Sequence, residues 1–435
     1  MVCGPFFVRR REHFSCMKRY SSASTLLLIM GAGSLLLISA LTMWHHQPPL
    51  YDEPLFISNM PLFNRYGLSA TFLREMDNQA PGPLYELMHY PLQAITHMQP
   101  PGLRMVNIVL LWCIILFLAI ILKRQYNLGW EQALVPALSM MALPVVWPVA
   151  GMALTEIPPM CCAMLSVLLL QRALACEGRS WFLLLFTLLA GVALGLAIWG
   201  RSPFLVMVPA AGLLLWQQAQ RRQRWIIVCL YVSVGLAMSV PVFLIWHGLM
   251  PPKQALVTAE GFKIWHGILA FAYGGLLTLI IAPRWFYFNR RIAWLLVATM
   301  LILTLLNITL LHYTDTPMTA VVKRIGSNVF VHIFSSLVPP LLATAALYFG
   351  VCSLLRTWEE RHQPFTLFML ASGFLLLLSC AKITHLFSSR YVAQATPFLV
   401  LGMMGFDKIS YGKCVRFAIG AGLGLVSLES YFSFH

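Results

Sequence analysis

The chain has 435 residues, 59% of them hydrophobic and only 10% charged, and a net charge of +15 at a mean hydropathy of +0.76. That composition excludes a soluble domain, because apolar surface on this scale cannot be hidden in one water-facing fold. It also excludes a nucleic-acid partner as the reason for the charge, since the basic residues are dealt out in clusters between apolar runs instead of forming one patch.

The basic clusters set an orientation. Arg9, Arg10, Arg11, Lys18 and Arg19 precede the first apolar run, and later clusters such as Lys123-Arg124, Arg221-Arg222 and Arg290-Arg291 recur in every second connection. This is the positive-inside pattern, with residues 1–23 as a cytoplasmic segment and 24–435 as one transmembrane domain. No cleavage site follows the first run, which therefore reads as an anchor. Membrane-spanning helices of about 20 apolar residues are predicted at 24–44, 103–122, 131–149, 154–172, 181–199, 203–217, 225–246, 264–282, 292–312, 329–352, 365–382, 392–406 and 415–431. The predicted fold class is an all-α polytopic membrane protein, a bundle of about 13 helices. All ten cysteines fall within runs or on the cytoplasmic side, which argues against a disulfide framework and fits a bacterial inner membrane.

The first outer connection, 45–102, is long and acidic. It opens on His45-His46, adjacent histidines poorly spaced to chelate one ion, and continues to Tyr51-Asp52-Glu53. Residues 54–66 place Leu55, Phe56, Met60 and Phe63 on one face, and 83–97 do the same with Leu84, Leu87, Met88, Leu92 and Ile95. Both stretches predict helices lying on the membrane, with a turn at Ala80-Pro81-Gly82-Pro83 between them.

An acid at this interface is either a solvated loop residue, a general base on a hydroxyl, or a ligand for a divalent ion. Glu156, at the outer start of the fourth run in Thr155-Glu156-Ile157-Pro158, shares the depth of Asp52; it reads as a helix N-terminus partner or as a member of the same site. Cations on this side run against the orientation trend and ask for a partner. They are Arg201 heading the sixth run, Lys382, His385 and Arg390-Tyr391 around the last outer corner, and Lys253, Lys263 and His266 with Glu260 around the 247–263 loop. Lipid headgroups are one such partner. A phosphate or diphosphate on a lipid carrier, gripped by charge-assisted donors, is the other.

Taken together, these residues resemble the GT-C superfamily of polytopic glycosyltransferases. The resemblance is a pattern over most of the chain: Asp52-Glu53 after the first span, Pro81-Gly82-Pro83-Leu84-Tyr85 followed by Arg104, Thr155-Glu156, Arg201, and Arg390-Tyr391 with Pro397. It is loosely similar to the branch that glucosylates lipid-linked oligosaccharides. That branch's Gly-Asp…Asn-His loop is absent, Pro251-Pro252-Lys253…Glu260 standing in its place, so the sugar and acceptor stay open. The resemblance implies a polyprenyl-phosphate sugar donor, a glycan, lipid or protein acceptor, and Asp52 as the base in an inverting displacement on the outer face. It further implies that Glu53 and Glu156 orient the acceptor or hold a divalent cation, Mg or Mn, and that the arginines stabilise the leaving phosphate. The competing classes are a transporter or flippase of lipid-linked cargo, which calls for ionisable residues near the bilayer midplane, and a non-catalytic assembly protein.

Overall fold

A computed structural model describes residues 22–76, 82–176, 180–217, 220–257, 261–313, 322 and 327–433. The N-terminal segment 1–23, apart from its last two residues, lies outside that range, as do Asp77, Pro81 and Glu260. Among the described residues every regular element is helical. Nine helices are long and apolar enough to cross a membrane: Ser22–Trp44, Gly102–Tyr126, Ile157–Ala175, Trp181–Gly200, Arg222–Trp246, Ile264–Ile281, Arg290–Leu311, Phe330–Glu359 and Pro364–Lys382. They coincide with nine of the thirteen predicted runs.

Three of the remaining runs are broken, and each carries proline, although Pro241, Pro339 and Pro340 lie inside continuous helices. The 131–149 run becomes a helix Trp130–Leu138, a 3-10 turn Ser139–Ala142 and a short helix Val146–Gly151. Pro136 and Pro148 sit within its helical pieces, and each removes a backbone donor. The 203–217 run is likewise divided, with a five-residue helix Met207–Ala211 between 3-10 segments and prolines at 203 and 209. In 392–406 the helix Thr396–Met403 begins at Pro397 and ends in a 3-10 turn. The last run lies in Tyr411–Ser433, a 23-residue helix carrying Lys413, Arg416 and Glu429 that is not among the nine.

Two of these broken segments sit in the core. Met140, Met141, Leu143, Val146, Trp147, Val149 and Ala150 are all fully buried, and the Trp147 indole N–H donates to the Met141 carbonyl at 2.9 Å. Thr396–Met403 is buried throughout, as irregular backbone at membrane depth requires, whereas 203–217 is only part-buried, with Pro209 and Gly212 exposed. The last helix packs closely on this centre: a Cβ on Gly420 would collide with the Ala142 carbonyl oxygen. By contrast, Arg290–Leu311 is almost wholly uncovered by protein.

The first and last helices run in the same direction. Ser22 Oγ meets the Tyr411 hydroxyl at 2.8 Å at one end, and His45 Nε2 meets Glu429 Oε1 at 3.2 Å at the other. The final turn of the chain therefore arrives beside the start of the 45–102 connection. That connection folds into short helices at Glu53–Ile57, Asn59–Tyr66, Ala70–Glu75, Leu84–His89 and Gln93–Thr96. Phe56, Met60 and Phe63, whose spacing predicts a face laid on the membrane, are buried against the protein, whereas Ile95 is 79% exposed. The face that 84–89 turns inward carries Leu84 together with Tyr85, Glu86 and His89. Ala70–Glu75 was not anticipated by periodicity; Ser69 caps it by accepting from the Phe72 N–H at 3.2 Å.

Gly82 docks this connection onto the bundle. Its φ is +157°, and a Cβ there would run into the carbonyl oxygen of Trp199, at the end of Ser180–Gly200. Only glycine permits both the backbone angle and the approach. Gly82→Ala is expected to lower stability by more than about 1 kcal/mol and to expose 82–97 to limited proteolysis; an unchanged cleavage pattern contradicts this docking role.

Candidate active site

Asp52 and Glu53 are neighbours in sequence with opposite fates. Tyr51 adopts a left-handed backbone (φ +51°), an uncommon conformation for a residue with a large side chain. The chain then turns into the helix Glu53–Ile57 with Asp52 at its N-cap. Glu53 points inward and is wholly buried. Its Oε1 accepts from Arg104 Nε at 2.9 Å and from the Ala153 N–H at 2.7 Å, and its Oε2 accepts from Arg104 Nη2 at 2.7 Å and the Leu50 N–H at 2.8 Å. Arg104, also fully buried, donates in addition to the carbonyls of His45 and Pro48 at 3.2 and 3.3 Å, with its guanidinium 5.1 Å above the Phe432 ring.

The expectation that Glu53 orients an acceptor or holds a metal is therefore corrected: four charge-assisted donors engage its oxygens, and it anchors the structure. Arg104 stands in the resemblance pattern, but its partner was not predicted.

The same corner of the molecule is tied from below by Asn107, whose Nδ2 donates to the carbonyls of Met152 and Leu154, both at 2.8 Å. Residues 152–154 lead directly to Thr155 and Glu156, so the buried pair and Asn107 together place Glu156. Its side chain makes no capping bond to the helix Ile157–Ala175 that it precedes. Instead Glu156 Oε1 is paired with Arg201 Nη2 and lies 3.6 Å from Arg390 Nε. Arg201 Nη2 also donates to Thr155 Oγ1 at 2.6 Å. Glu156 Oε2 is buried without a hydrogen-bond partner, as are the Nε atoms of Arg201 and Arg390.

Arg390 joins the two halves, since Nη1 pairs with Asp52 Oδ2, a carboxylate whose side chain is 27% exposed. Burial alone would lower the Arg390 pKa, but Glu156, Tyr391 and Asp52 outweigh it and raise the pKa, so the guanidinium stays charged.

Four predicted residues thus converge: Asp52, Glu156, Arg201 and Arg390. Around them, Tyr391 packs beside Arg390, and its hydroxyl meets His385 Nε2 at 2.9 Å. Burial lowers the His385 pKa and the Arg390 charge pushes the same way. His266 Nδ1 is 2.7 Å from the Ile383 carbonyl oxygen, and Lys263 N–H donates to the Ala381 carbonyl at 2.8 Å, so both flank the same corner. Lys382 is exposed, with its Nζ 5.8 Å from the Phe262 ring centre.

Lys253 pairs instead with Glu75 at 3.0 Å and donates to the Glu75 carbonyl at 2.9 Å, so the structure does not bring it to this cluster. His45 is taken up by Glu429 and by stacking on Phe432 at 4.1 Å.

Sequence reasoning missed the contribution of the last helix. Tyr431 sits edge-to-face on Tyr51 (5.1 Å, 71°), and its hydroxyl lies in the field of Arg390, Glu156 and Asp52. Nothing in sequence spacing points across about 380 positions.

Among the described residues no group of three or more His, Cys, Asp or Glu is placed to hold a metal. Asp52 and Glu156 are two carboxylates each already facing a guanidinium, which is not the oxygen-rich set that Mg or Mn takes.

Beside the corner 381–385 an apolar cavity of about 550 Å³ opens between Ile264–Ile281, Arg290–Leu306, Asn328–Glu359 and Pro364–Ser379. Ile264, Trp265, Phe271, Leu303, Leu347 and Leu378 line it, and Trp265 stacks on Tyr313 at 4.9 Å.

No family model matches the sequence, and no curated protein does either. Two solved structures of ArnT from Cupriavidus metallidurans are similar. The apo form has a TM-score of 0.46 and 12% identity over 94% of this chain and 78% of that one. The form bound to undecaprenyl phosphate has a TM-score of 0.45 and 12% identity over 93% and 77%. The likeness runs nearly end to end but is loose.

Two measurements follow from this geometry. Glu53→Ala strands the buried Arg104 charge and is expected to cost about 3–5 kcal/mol, read as a large fall in thermal stability in detergent; a shift no greater than that of Asp52→Asn rules out the anchor. The second concerns Tyr85, Glu86 and His89, buried in the 45–102 connection with the Tyr85 hydroxyl, Glu86 Oε2 and both His89 nitrogens unpartnered. Burial raises Glu86 from 4.5 to about 8 and lowers His89 from 6.5 to about 4. The folded Glu86 keeps a proton that the unfolded chain loses, so its contribution to stability falls from pH 4.5 to 8; the His89 contribution rises from pH 4 to 6.5. Between 4.5 and 6.5 the two slopes cancel, and a net loss remains from 6.5 to 8. Hydrogen exchange in 82–97, corrected for its intrinsic rate, is expected to quicken over that upper interval and to flatten in Glu86→Gln.

Proposed function

We propose that this protein is a membrane glycosyltransferase of the GT-C type, moving a sugar from a polyprenyl-phosphate donor to an acceptor hydroxyl. The observation that carries the reading is the convergence of Asp52, Glu156, Arg201 and Arg390 next to an apolar cavity. A lipid-linked sugar needs these three things together: a greasy slot for the chain, cations for the phosphate, and a base within reach of the sugar. The cations are guanidiniums, whose planar forks suit phosphate oxygens. Ala381 lines the cavity and bonds Lys263, His266 meets Ile383, and His385 meets Tyr391 beside Arg390, so the corner 381–385 links the cavity to the cluster.

In this reading Asp52 takes the proton of the acceptor hydroxyl as the acceptor oxygen bonds to the anomeric carbon. The bond from that carbon to the phosphate oxygen breaks, the electron pair leaves with the lipid phosphate, and the anomeric configuration inverts. Arg390 and Arg201 meet the charge growing on the leaving oxygen, the kind of preorganised electrostatic term that often dominates such rates. Glu156 holds both guanidiniums in place from the buried side. The charge stabilisation is routed through arginine, and no step runs through a divalent ion. The distribution of basic clusters supports a site on the outer, periplasmic face of a bacterial inner membrane, with the N-terminus in the cytoplasm.

Asp52→Asn is expected to abolish transfer while leaving expression and membrane insertion intact, and Arg390→Lys to slow it by about 10²–10³-fold. The assay uses purified protein and a panel of polyprenyl-phosphate pentoses and hexoses. Full activity of Asp52→Asn defeats the mechanism, and a topology map that places residue 52 in the cytoplasm defeats the orientation.

A further inference from the structure

The aromatic pair at the edge of the site is used by neither the anchor nor the proposed chemistry. Tyr51 is 54% exposed although it stands between the buried Leu50 and a wholly buried Glu53. Its left-handed backbone angle makes this possible, turning the ring out while the carboxylate behind it turns in. Tyr431 reaches the same place from the other end of the chain. The last helix is fixed there by Phe432, which lies under Arg104 and against His45, and by Glu429, which meets His45. The two tyrosines meet nearly at right angles, and the Tyr431 hydroxyl lies in the field of Asp52, Glu156 and Arg390.

We infer that Tyr51 and Tyr431 form an aromatic platform that receives the sugar ring, with Tyr51 stacking on its C–H face and Tyr431 holding that ring upright. An aromatic face carries negative charge density, and the aligned C–H bonds on one face of a pyranose or furanose ring present slight positive charge to it. The position is right for such a contact, since Tyr51 immediately precedes Asp52. A sugar stacked there has its anomeric carbon toward the base and its phosphate toward Arg390. The ordinary alternative is a tyrosine of the membrane-interface belt, anchored by lipid headgroups. That alternative does not call for a strained backbone or for a second aromatic side chain delivered from about 380 residues away.

This inference rests on the proposed transferase reading, and a binding experiment separates the two. The probes are decaprenyl phosphate without sugar and a panel of decaprenyl-phosphoryl pentoses and hexoses, titrated against the full-length protein in detergent micelles. Wild type is expected to bind the bare lipid phosphate and to bind at least one sugar-bearing lipid about tenfold more tightly. Tyr51→Ala is expected to erase that preference without weakening the bare lipid, Tyr51→Trp to retain it, and Tyr431→Ala to reduce it. If Tyr51→Ala keeps the full preference, or if wild type shows no preference for any sugar, the platform is overturned while the lipid-phosphate site stands. Failure of wild type to bind either class of lipid overturns the transferase reading itself, and the platform with it. A loss of bare-lipid affinity in Tyr51→Ala equal to the loss for every sugar-bearing lipid makes Tyr51 an interface anchor and also overturns the platform.

Discussion

The buried pair of Glu53 and Arg104 is the constraint on which the rest of this end of the molecule depends. Taking two full charges out of water costs several kcal/mol per ion, and attraction between them returns that only with close geometry and with the remaining lone pairs and protons satisfied. Here both conditions hold: Arg104 meets Glu53 with two parallel N–H bonds, and Leu50 and Ala153 supply the other two donors. The donors come from three separated parts of the chain. None of these parts can move without uncovering a charge, so the turn at residues 50–53, the start of Gly102–Tyr126 and the corner 152–154 behave as one unit. Phe432 under the same guanidinium ties the last helix to it.

Positioning of the site follows from that unit. Glu53 fixed inward forces Asp52, one residue earlier, onto the open side of the turn. Ala153 fixed against Glu53, together with Asn107 holding Met152 and Leu154, sets Thr155 and Glu156 at the head of their helix. Glu156 then gathers Arg201, from the link after Ser180–Gly200, and Arg390, from the short helix Arg390–Ala393. The resting cluster balances two carboxylates with two guanidiniums, and because Arg390 is shared between both carboxylates, a small rearrangement suffices to turn it toward an incoming anion.

How much of this was legible in the sequence depended on which physical signal carried it. The nine unbroken helices were plain, because unbroken apolarity over about 20 residues matches the thickness of a bilayer core and exceeds what a buried helix of a soluble fold needs. The segments 131–149, 203–217 and 392–406 are as apolar as the rest, and hydropathy cannot separate a helix in lipid from a broken segment packed among helices. Asp52, Glu156, Arg201 and Arg390 were legible as a group because each sits at the end of a run on the side that the charge map sets apart. Lys253 met the same test and lies elsewhere, since depth in the membrane says nothing about lateral position. The inward turn of Glu53 depends on the Tyr51 backbone, and the burial of Glu86 and His89 runs against an amphipathic pattern that laid 83–97 on the membrane surface. Periodicity ranks side chains by polarity, and a pair of buried polar groups is invisible to it.

Arg390 raises the last question of mechanism, because it faces the residue proposed as base and is itself proposed to meet the donor phosphate. In the ligand-free arrangement Asp52 is held by the same side chain that is proposed to receive the donor phosphate. The two roles agree if the phosphate replaces the carboxylate as the partner of Arg390. Glu156 makes that exchange inexpensive, since it keeps hold of the guanidinium from the buried side while the exposed side changes partners. In the proposed mechanism that exchange frees Asp52 from Arg390 once the donor phosphate is seated, and so couples the two proposed roles through one arginine.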